Sequence, residues 1–164
     1  MSVRNTTLVF LVKKSEAGSI TDVCLAMKKR GFGKGRWNGV GGKQQEGESV
    51  QDAARRETKE EIGVEVEMLD MVAELEFRFA HNPDWDQMVY AYFVESWKGE
   101  PVESEEMRPQ WFTVGNIPFE TMWPDDIFWL PKVIARYSDS IVKGRFVFGE
   151  NDVILEKEVT LADR

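Results

Sequence analysis

The sequence of 164 residues is poor in the residues and runs that mark several large classes of protein. Its single cysteine, Cys24, lies in an apolar, strand-like segment and has no second cysteine with which to form an internal disulfide. No apolar run approaches the ~20 residues of a membrane-spanning helix, and the start, Met-Ser-Val-Arg-Asn, lacks the apolar segment of a signal peptide. We therefore expect a cytoplasmic protein with no membrane association.

Positive charge and histidine are also scarce. The chain has 21 Lys and Arg residues against 29 Asp and Glu residues, which gives a formal net charge of −8. Binding of polymeric nucleic acid through its phosphates requires a basic face, so we expect no such partner. A small phosphorylated substrate that arrives with its own metal ion remains compatible with this charge. The only histidine, His81, lies in a polar loop, and we assign it no chemistry.

Length and patterning predict one domain that spans residues 1–164, with enough apolar residues for a core. Alternating apolar segments predict strands at 6–13, 21–27, 37–40, 64–79, 87–96, 107–113, 144–149 and 152–159. The segment 64–79 is long enough to bend or break. Helices are predicted between Ser49 and Gly63 and over 126–137, where Pro131 marks a kink or a late start, and 119–122 is a helical turn. We predict an α+β fold, with a mixed β-sheet sandwiched between α-helices.

The first predicted helix carries acids on its apolar face, where they would not be exposed to solvent. Ser49 is a suitable N-cap and Gly63 a natural helix stop. At about 100° per residue, Glu57 and Glu61 project within about 20° of Val50, so they continue the apolar stripe and repel each other as an i,i+4 pair. Buried like charges need a compensating cation. Oxygen ligands without a His or Cys cluster favour Mg²⁺ or Mn²⁺ that bridges substrate phosphates.

This helix belongs to a longer motif. Residues 42–64 read G-x5-E-x7-R-E-x2-E-E-x-G followed by an apolar residue. A chance match to these seven fixed positions is on the order of one in a million for a chain of this size, so the motif is specific. The run resembles the signature of the Nudix hydrolases, which cleave nucleoside diphosphates linked to another group. The resemblance implies the Nudix fold.

Three further segments narrow the resemblance. They are 27–39, which contains MKKRGFG and GRWNG, 101–109, which contains PVES and EMRP, and 122–129, which contains MWPDD and a following Trp. These segments resemble the animal MutT-like branch of the family, which removes oxidised purine nucleoside triphosphates such as 8-oxo-dGTP and 2-hydroxy-dATP. With them the resemblance covers nearly the whole chain. It implies hydrolysis of a nucleoside triphosphate to the monophosphate and pyrophosphate. We expect the protein to be a monomer.

The resemblance also implies roles for particular residues. The residues that hydrogen-bond the base are Asn38, Asp125 and Asp126, and those that line its pocket are Thr7, Phe32, Phe77 and Trp123. The metal ligands are the backbone oxygen of Gly42 and the side chains of Glu57, Glu60, Glu61 and Glu106. One of these four glutamates acts as the general base, and the residues do not decide which. Arg56 orients a neighbouring glutamate, and Lys28 belongs to a basic loop whose charge attracts a triphosphate.

Each pocket residue also has a plain structural explanation. The run 123–126 is a good helix start, with an early proline and acids against the positive end of the helix dipole. The aromatic residues are typical of a core, Asn38 can satisfy backbone groups in a turn, and the loop 28–36 can be merely solvated. Thr58 departs from the usual aliphatic signature residue, and Val40 replaces a bulkier aromatic on the pocket side of its strand. The loop 15–19 is longer than in the animal proteins.

Three other functions remain to be weighed. A Nudix enzyme for another nucleoside diphosphate derivative, such as a nucleotide sugar, or for a pterin triphosphate would keep the signature and differ in the pocket. An inactive Nudix domain used as a binding module should have lost a metal-ligating glutamate, and all are present here. A structural or nucleic-acid-binding protein conflicts with the acidic charge and the inward glutamates.

Overall fold

Eight strands and two α-helices form along the chain, in a computed structural model that describes residues 3–137 and 139–164. Met1 and Ser2, at the start that we expected to lack a signal peptide, lie outside the described residues. In chain order the elements are β1 (Arg4–Lys14), β2 (Ile20–Lys28), β3 (Trp37–Asn38), α1 (Val50–Ile62), β4 (Asp70–Phe79), β5 (Gln87–Val94), β6 (Met107–Thr113), α2 (Asp126–Ala135), β7 (Ser140–Phe148) and β8 (Ile154–Asp163). Short 3₁₀ helices span Pro83–Trp85, Val114–Asn116, Phe119–Thr121 and Glu150–Asp152.

The strands form one mixed sheet in the order β3-β2-β1-β5-β4-β7-β8, and β6 also pairs with β2. The pairs β1–β5 and β4–β7 are parallel, whereas the other pairs are antiparallel. Parallel pairs place α-helical or irregular connections over the faces of a sheet, which is why the central strands are apolar on both sides. The predicted α+β architecture is confirmed.

The first strand shows how the sheet lies between the helices. Alternate side chains of β1 enter two separate apolar clusters, because successive residues of a strand point to opposite faces. Phe10 packs with Trp129 of α2 in one cluster, and Leu11 packs with Ile62 of α1 in the other. All four side chains are 1% exposed or less, and each contributes roughly 1.5–3 kcal/mol by its burial. One helix therefore covers each face.

The predicted limits of α1 are confirmed. The hydroxyl of Ser49 accepts a hydrogen bond of 3.0 Å from the N–H of Asp52, a cap of ~1 kcal/mol. Gly63 ends the helix in the left-handed region at φ 73°. In α2, Pro131 lies inside the helix and does not delay its start, and the helix ends at Ala135, two residues before the predicted limit.

Three strand limits differ from the prediction by four residues or more: the starts of β4 and β7 and the end of β8. The segment 64–79 breaks as expected, because Glu65 pairs with Lys98 in an isolated bridge and regular pairing begins only at Asp70. The closing hairpin is confirmed, but β7 begins at Ser140, four residues before the predicted start at Gly144. A Cβ at Gly144 would lie 3.0 Å from a Leu75 methyl group, so this glycine permits close packing within the strand and does not mark its end.

The structure also shows where two departures from the family pattern lie. Thr58 is fully buried on α1, and its hydroxyl donates to the carbonyl of Ala54 at 2.7 Å, so a polar residue is accommodated there. Val40 forms an isolated bridge with Val9 and packs in the apolar cluster on the α1 side. The expectation that Val40 faces the pocket is therefore wrong, since the neighbouring Asn38 and Gly39 take that position.

Candidate active site

The glutamates of α1 lie at one cleft together with Glu106 from the loop before β6. Glu61 is 4% exposed, and the side chain of Glu57 is 18% exposed, so both face inward as the helical spacing predicts. Glu60 lies at the flank, with 59% of its side chain exposed. The four glutamates predicted to bind metal thus share one cleft, which Glu105 also lines and which we call the glutamate cleft.

The charge of Glu61 is poorly compensated. Burial and, next, the neighbouring Glu57 raise the pKa of Glu61 to about 8. Within the described residues, its Oε2 atom is buried and has no hydrogen-bond partner. A buried oxygen without a partner is costly, and a bound cation is one of the few groups that would satisfy it while keeping the carboxyl ionised.

Arg56 ties the other acids of the helix to the preceding loop. Its guanidinium donates to Glu57 at 2.8 Å, to Glu60 at 3.3 Å and to both oxygens of Glu48 at 2.8 and 3.1 Å. It also donates to the carbonyl of Lys43 at 3.1 Å. These bonds hold the pKa of Glu48 below its ordinary value and place Arg56 where a residue that orients glutamates should lie.

Glu106 is held by the basic loop 28–36. Arg30 donates to it at 3.3 Å, and the ammonium of Lys28 lies 3.8 Å from its other oxygen. The backbone N–H of Lys29 also donates to the carbonyl of Glu106 at 2.8 Å. The basic loop is therefore attached to the rim of the glutamate cleft and is not freely solvated.

These residues fit a hard divalent cation by their chemistry, since all the donors are oxygens and one of them is buried without a partner. Among the described residues, no three acidic, His or Cys side chains are grouped so as to hold an ion in their present positions. The reason is that Glu57 and Glu60 turn to Arg56, while Glu106 turns to Arg30 and Lys28. Binding would require these side chains to exchange their cationic partners for the metal.

Gly42 joins this cleft to the first strand. Its carbonyl accepts a hydrogen bond of 3.0 Å from the N–H of Thr7, so its role as a metal ligand stays a prediction. A Cβ at Gly42 would lie 2.5 Å from Cδ of Glu57, closer than any real contact. A larger residue at this position would therefore force the Glu57 carboxylate to move from its present place.

A cavity of about 340 Å³ lies over the α2 side of the sheet, beside Gly42. All eight residues predicted to bind substrate line it: Thr7, Lys28, Phe32, Asn38, Phe77, Trp123, Asp125 and Asp126. Residues more than a hundred positions apart in the chain are thus brought to one site. We call it the base cavity.

Aromatic rings form the walls of the base cavity. Phe32 is 50% exposed, which excludes a core role, and its ring centroid lies 5.1 Å from those of Trp123 and Trp85. Phe77 lines the cavity and also packs edge-to-face on Phe148 of the core at 5.6 Å. The walls therefore combine rings supported by the core with one exposed ring carried by the basic loop, an arrangement suited to a flat apolar ring with polar edges.

Asp125 and Asp126 form a buried acidic pair at the cavity, exposed by 1% and 2% respectively. The carboxylate of Asp125 makes no capping hydrogen bond to α2 and instead accepts from the indole N–H of Trp129 at 2.9 Å. One oxygen of each aspartate, Oδ1 of Asp125 and Oδ2 of Asp126, is buried without a hydrogen-bond partner in the described part of the chain. A helix-capping role alone does not account for this geometry.

The two carboxyls do not both ionise easily. Burial raises the pKa of Asp125 and the Trp129 hydrogen bond lowers it, and the net result is a pKa of about 6. Burial, and next the charge of Asp125, raises the pKa of Asp126 well above its ordinary value. Desolvation therefore outweighs the helix dipole, and the pair can retain a proton near neutral pH.

The model of the NUDIX domain matches residues 3–133, which include both the glutamate cleft and the base cavity. The chain belongs to the Nudix family.

Two relatives of this Nudix chain are named "Oxidized purine nucleoside triphosphate hydrolase". The mouse protein is 45% identical over 86% of this chain and 88% of its own length. The zebrafish protein is 42% identical over 93% of this chain and 92% of its own length. The crystal structure of a MutT protein from Bacillus halodurans has the same fold, with a TM-score of 0.79 at 22% identity over 96% of this chain and 97% of that one.

Several residues that line the base cavity were not predicted from the sequence. They are Arg4, Arg36, Trp85 and Gln87. Trp85 carried a usable signal, because a large aromatic residue in the polar loop 81–86 has little reason to be there without a partner. The position of Arg36 depends on the fold of the basic loop, which no local pattern reveals.

Residues 3–137 and 139–164 contain two α-helices and four short 3₁₀ helices. None of them is both long enough and apolar enough to cross a bilayer.

Proposed function

We propose that this Nudix protein hydrolyses oxidised purine nucleoside triphosphates, such as 8-oxo-dGTP and 2-hydroxy-dATP, to the monophosphate and pyrophosphate. The observation that carries the proposal is the buried pair Asp125–Asp126 in an aromatic cavity next to the signature glutamates. The names of the mouse and zebrafish relatives support the same substrate class. We further propose that the protein works as a cytoplasmic monomer, without membrane or polymeric nucleic acid, and that residues 1–164 form one domain, since β7 pairs with β4.

The acidic pair explains how one cavity accepts two different damaged bases. A fixed set of donors and acceptors should reject one of them, because a buried group would stay unpaired. A protonated carboxyl donates a hydrogen bond, whereas an ionised carboxyl only accepts. Moving one proton within or onto the pair Asp125–Asp126 changes this pattern without any movement of the backbone. Asn38 lies at the same cavity, where its side-chain oxygen accepts from the N–H of Gly39 at 2.8 Å, and it would supply a further bond to the base.

The phosphates would extend from the base cavity past Gly42 into the glutamate cleft. Glu57, Glu60, Glu61 and Glu106, with the carbonyl of Gly42, would hold Mg²⁺ or Mn²⁺ there, which neutralises phosphate charge and acidifies water. Arg56 keeps the helix acids oriented, and Lys28 places a positive charge at the junction of the two sites. One of the four glutamates takes the proton from the attacking water.

A steady-state screen tests this proposal. Purified protein with Mg²⁺ is given normal dGTP and dATP, their oxidised counterparts, a nucleotide sugar and a pterin triphosphate, and products are followed by ³¹P NMR. We expect kcat/KM for the oxidised purines to exceed that for the normal purines by at least ~10-fold, since a hydrogen bond made only to the damaged base is worth ~1–3 kcal/mol. Preferential hydrolysis of the nucleotide sugar or the pterin would overturn the substrate assignment and leave the Nudix chemistry in place.

A further inference from the structure

Arg36 stands at the end of the basic loop, immediately before β3, and contacts two distant parts of the chain. Its guanidinium carbon lies 4.2 Å from the centroid of the Trp123 ring, a wall of the base cavity. One guanidinium nitrogen lies 3.0 Å from the carboxylate of Asp152, in the turn between β7 and β8. Arg36 itself lines the cavity. Its side chain is thus held between the base-binding wall and a turn that the proposed reaction does not use.

Both sides of this contact are fixed by the backbone. The basic loop is closed by hydrogen bonds from Lys28 N–H to the Arg36 carbonyl at 3.1 Å and from Gly35 N–H to the Lys28 carbonyl at 2.9 Å. On the other side, Asn151 and Asp152 both adopt φ 58°, a left-handed conformation that aspartate and asparagine tolerate better than other side chains. The side chains of Arg36 and Asp152 are only 29% and 25% exposed. This pair is therefore more constrained than an ordinary surface ion pair.

The positive charge of Arg36 acts on Asp125, which lines the same cavity. Burial raises the pKa of Asp125, while the Trp129 indole, Asp126 and the positive charge of Arg36 all lower it. For Asp126, burial and the charge of Asp125 raise the pKa, and Trp129 lowers it. Arg4, Lys28 and Lys43 are the other cations that line the cavity, and Lys28 is also engaged by Glu106. Arg36 is thus a cation that bears on the protonation of Asp125, and Asp152 neutralises part of its charge.

We propose that Arg36 is a positioning residue that determines base specificity, holding the Trp123 wall and biasing the protonation of the Asp125–Asp126 pair, with Asp152 setting the strength of that bias. This inference rests on the proposed function, because base specificity presupposes hydrolysis of damaged purines. It predicts that two variants of the same ion pair act in opposite directions. A purely structural pair would give the same effect from either side.

The first test uses the free protein and no substrate. The carboxyl carbons of ¹³C-labelled aspartates are titrated by NMR. The signal of Asp125 is identified as the one that is missing from the spectrum of Asp125→Asn. We expect Arg36→Gln to raise the titration midpoint of Asp125 and Asp152→Asn to lower it. Arg36→Lys keeps the charge and should remain close to the wild type. Shifts of the same sign in Arg36→Gln and Asp152→Asn, or no shift in either, would overturn the inference.

The second test is the pH dependence of the kcat/KM ratio for 8-oxo-dGTP over 2-hydroxy-dATP. The pH at which this ratio changes should move upward in Arg36→Gln and downward in Asp152→Asn. At a fixed pH between these midpoints the ratio should change by ~3–10-fold, since a midpoint shift of one pH unit alters a protonated fraction up to tenfold. In Arg36→Lys the ratio should persist while KM rises by ~2–5-fold for both bases, because lysine stacks less well on Trp123.

Lys157→Gln is the matched control. Lys157 is a cation over another aromatic ring, 4.5 Å from the centroid of Phe128 on α2, and it is not among the residues that line the base cavity. Its removal changes the net charge equally and should leave the ratio and the Asp125 midpoint unchanged. If the wild type hydrolyses no damaged purine, the proposed function fails, whereas the NMR titration still decides whether Arg36 biases Asp125. If Arg36→Gln does not fold, Asp152→Asn and Arg36→Lys retain the same test.

Discussion

Asp125→Asn should make the substrate-free protein more stable, although it removes a residue of the proposed site. Burial raises the pKa of Asp125 from 3.8 to about 6, so the folded protein holds this proton more tightly than the unfolded chain does. The stability that depends on this group is therefore complete below pH ~3.8 and is lost as the pH rises through about 6. At neutral pH the ionised carboxylate is a net cost to folding.

The size of the effect follows from the same pKa. Each pKa unit corresponds to ~1.4 kcal/mol, so the full cost above pH 6 is ~3 kcal/mol. Asparagine keeps an oxygen that can accept from Trp129, and the bond of 2.9 Å is retained. Its amide group, however, occupies the position of the oxygen that has no partner, which costs ~1 kcal/mol or more. We expect a net gain of ~1–2 kcal/mol, or roughly 2–8 °C in Tm for a domain of this size.

The measurement is thermal unfolding by circular dichroism without nucleotide or metal, at several pH values between 4 and 7.5. The difference between Asp125→Asn and the wild type should grow with pH and level off above about 6. Asp163→Asn, which changes an exposed aspartate at the end of β8, is the control. In parallel, Asp125→Asn should lose activity on one damaged base far more than on the other. A Tm at pH 7.5 that is equal to or below that of the wild type would refute the reasoning.

Three further predictions concern catalysis. Glu57→Gln and Glu61→Gln should each lower kcat by at least ~10²-fold, because charge stabilisation at the phosphates provides much of the rate enhancement. Far-UV circular dichroism should show that both variants are folded, and Glu46→Gln is the control. A near-normal rate in either variant would contradict the proposed metal site. Hydrolysis should occur between the α and β phosphates, so ³¹P NMR should show pyrophosphate first, and initial orthophosphate would contradict the mechanism. Gly42→Ala should reduce kcat by at least ~10-fold, because the new Cβ would lie 2.5 Å from Cδ of Glu57 and would push this carboxylate out of place. The control Gly115→Ala should be neutral, since a Cβ there meets no atom within 4 Å.

The sequence predicted most of the fold because its periodicities were strong. The inward direction of Glu61 followed from helical spacing. The limits of β6 were also predicted as observed, although Arg108, Pro109 and Gln110 interrupt its apolar residues. The prediction was weaker where tertiary contacts overrule local signals. Gly144 resembled a strand end in the sequence, and its reason for being glycine, the nearby Leu75, lies on another strand.

For the site, resemblance named the residues but not their present partners. The sequence predicted that Arg56 orients a neighbouring glutamate, and it contacts Glu57 and Glu60. That Glu106 turns to Arg30 and Lys28 depends on side-chain positions that no motif encodes. The partnership of Arg36 with Asp152 joins residues more than a hundred positions apart, and neither lies in the signature. Such pairs are set by the crossing of loops at one end of the sheet, and a single sequence contains no periodic trace of them.

The sheet itself separates the two parts of the proposed site. The base cavity lies on the α2 side and the inward glutamates lie on the α1 side, so that they meet only near Gly42 and the basic loop. Much of the cavity wall comes from residues 28–36, Trp85 and the start of α2, and these segments lie outside the signature at 42–64. Mutations can therefore accumulate in those three segments, and a lineage can acquire a new preferred nucleotide, while the bond-breaking apparatus is inherited unchanged.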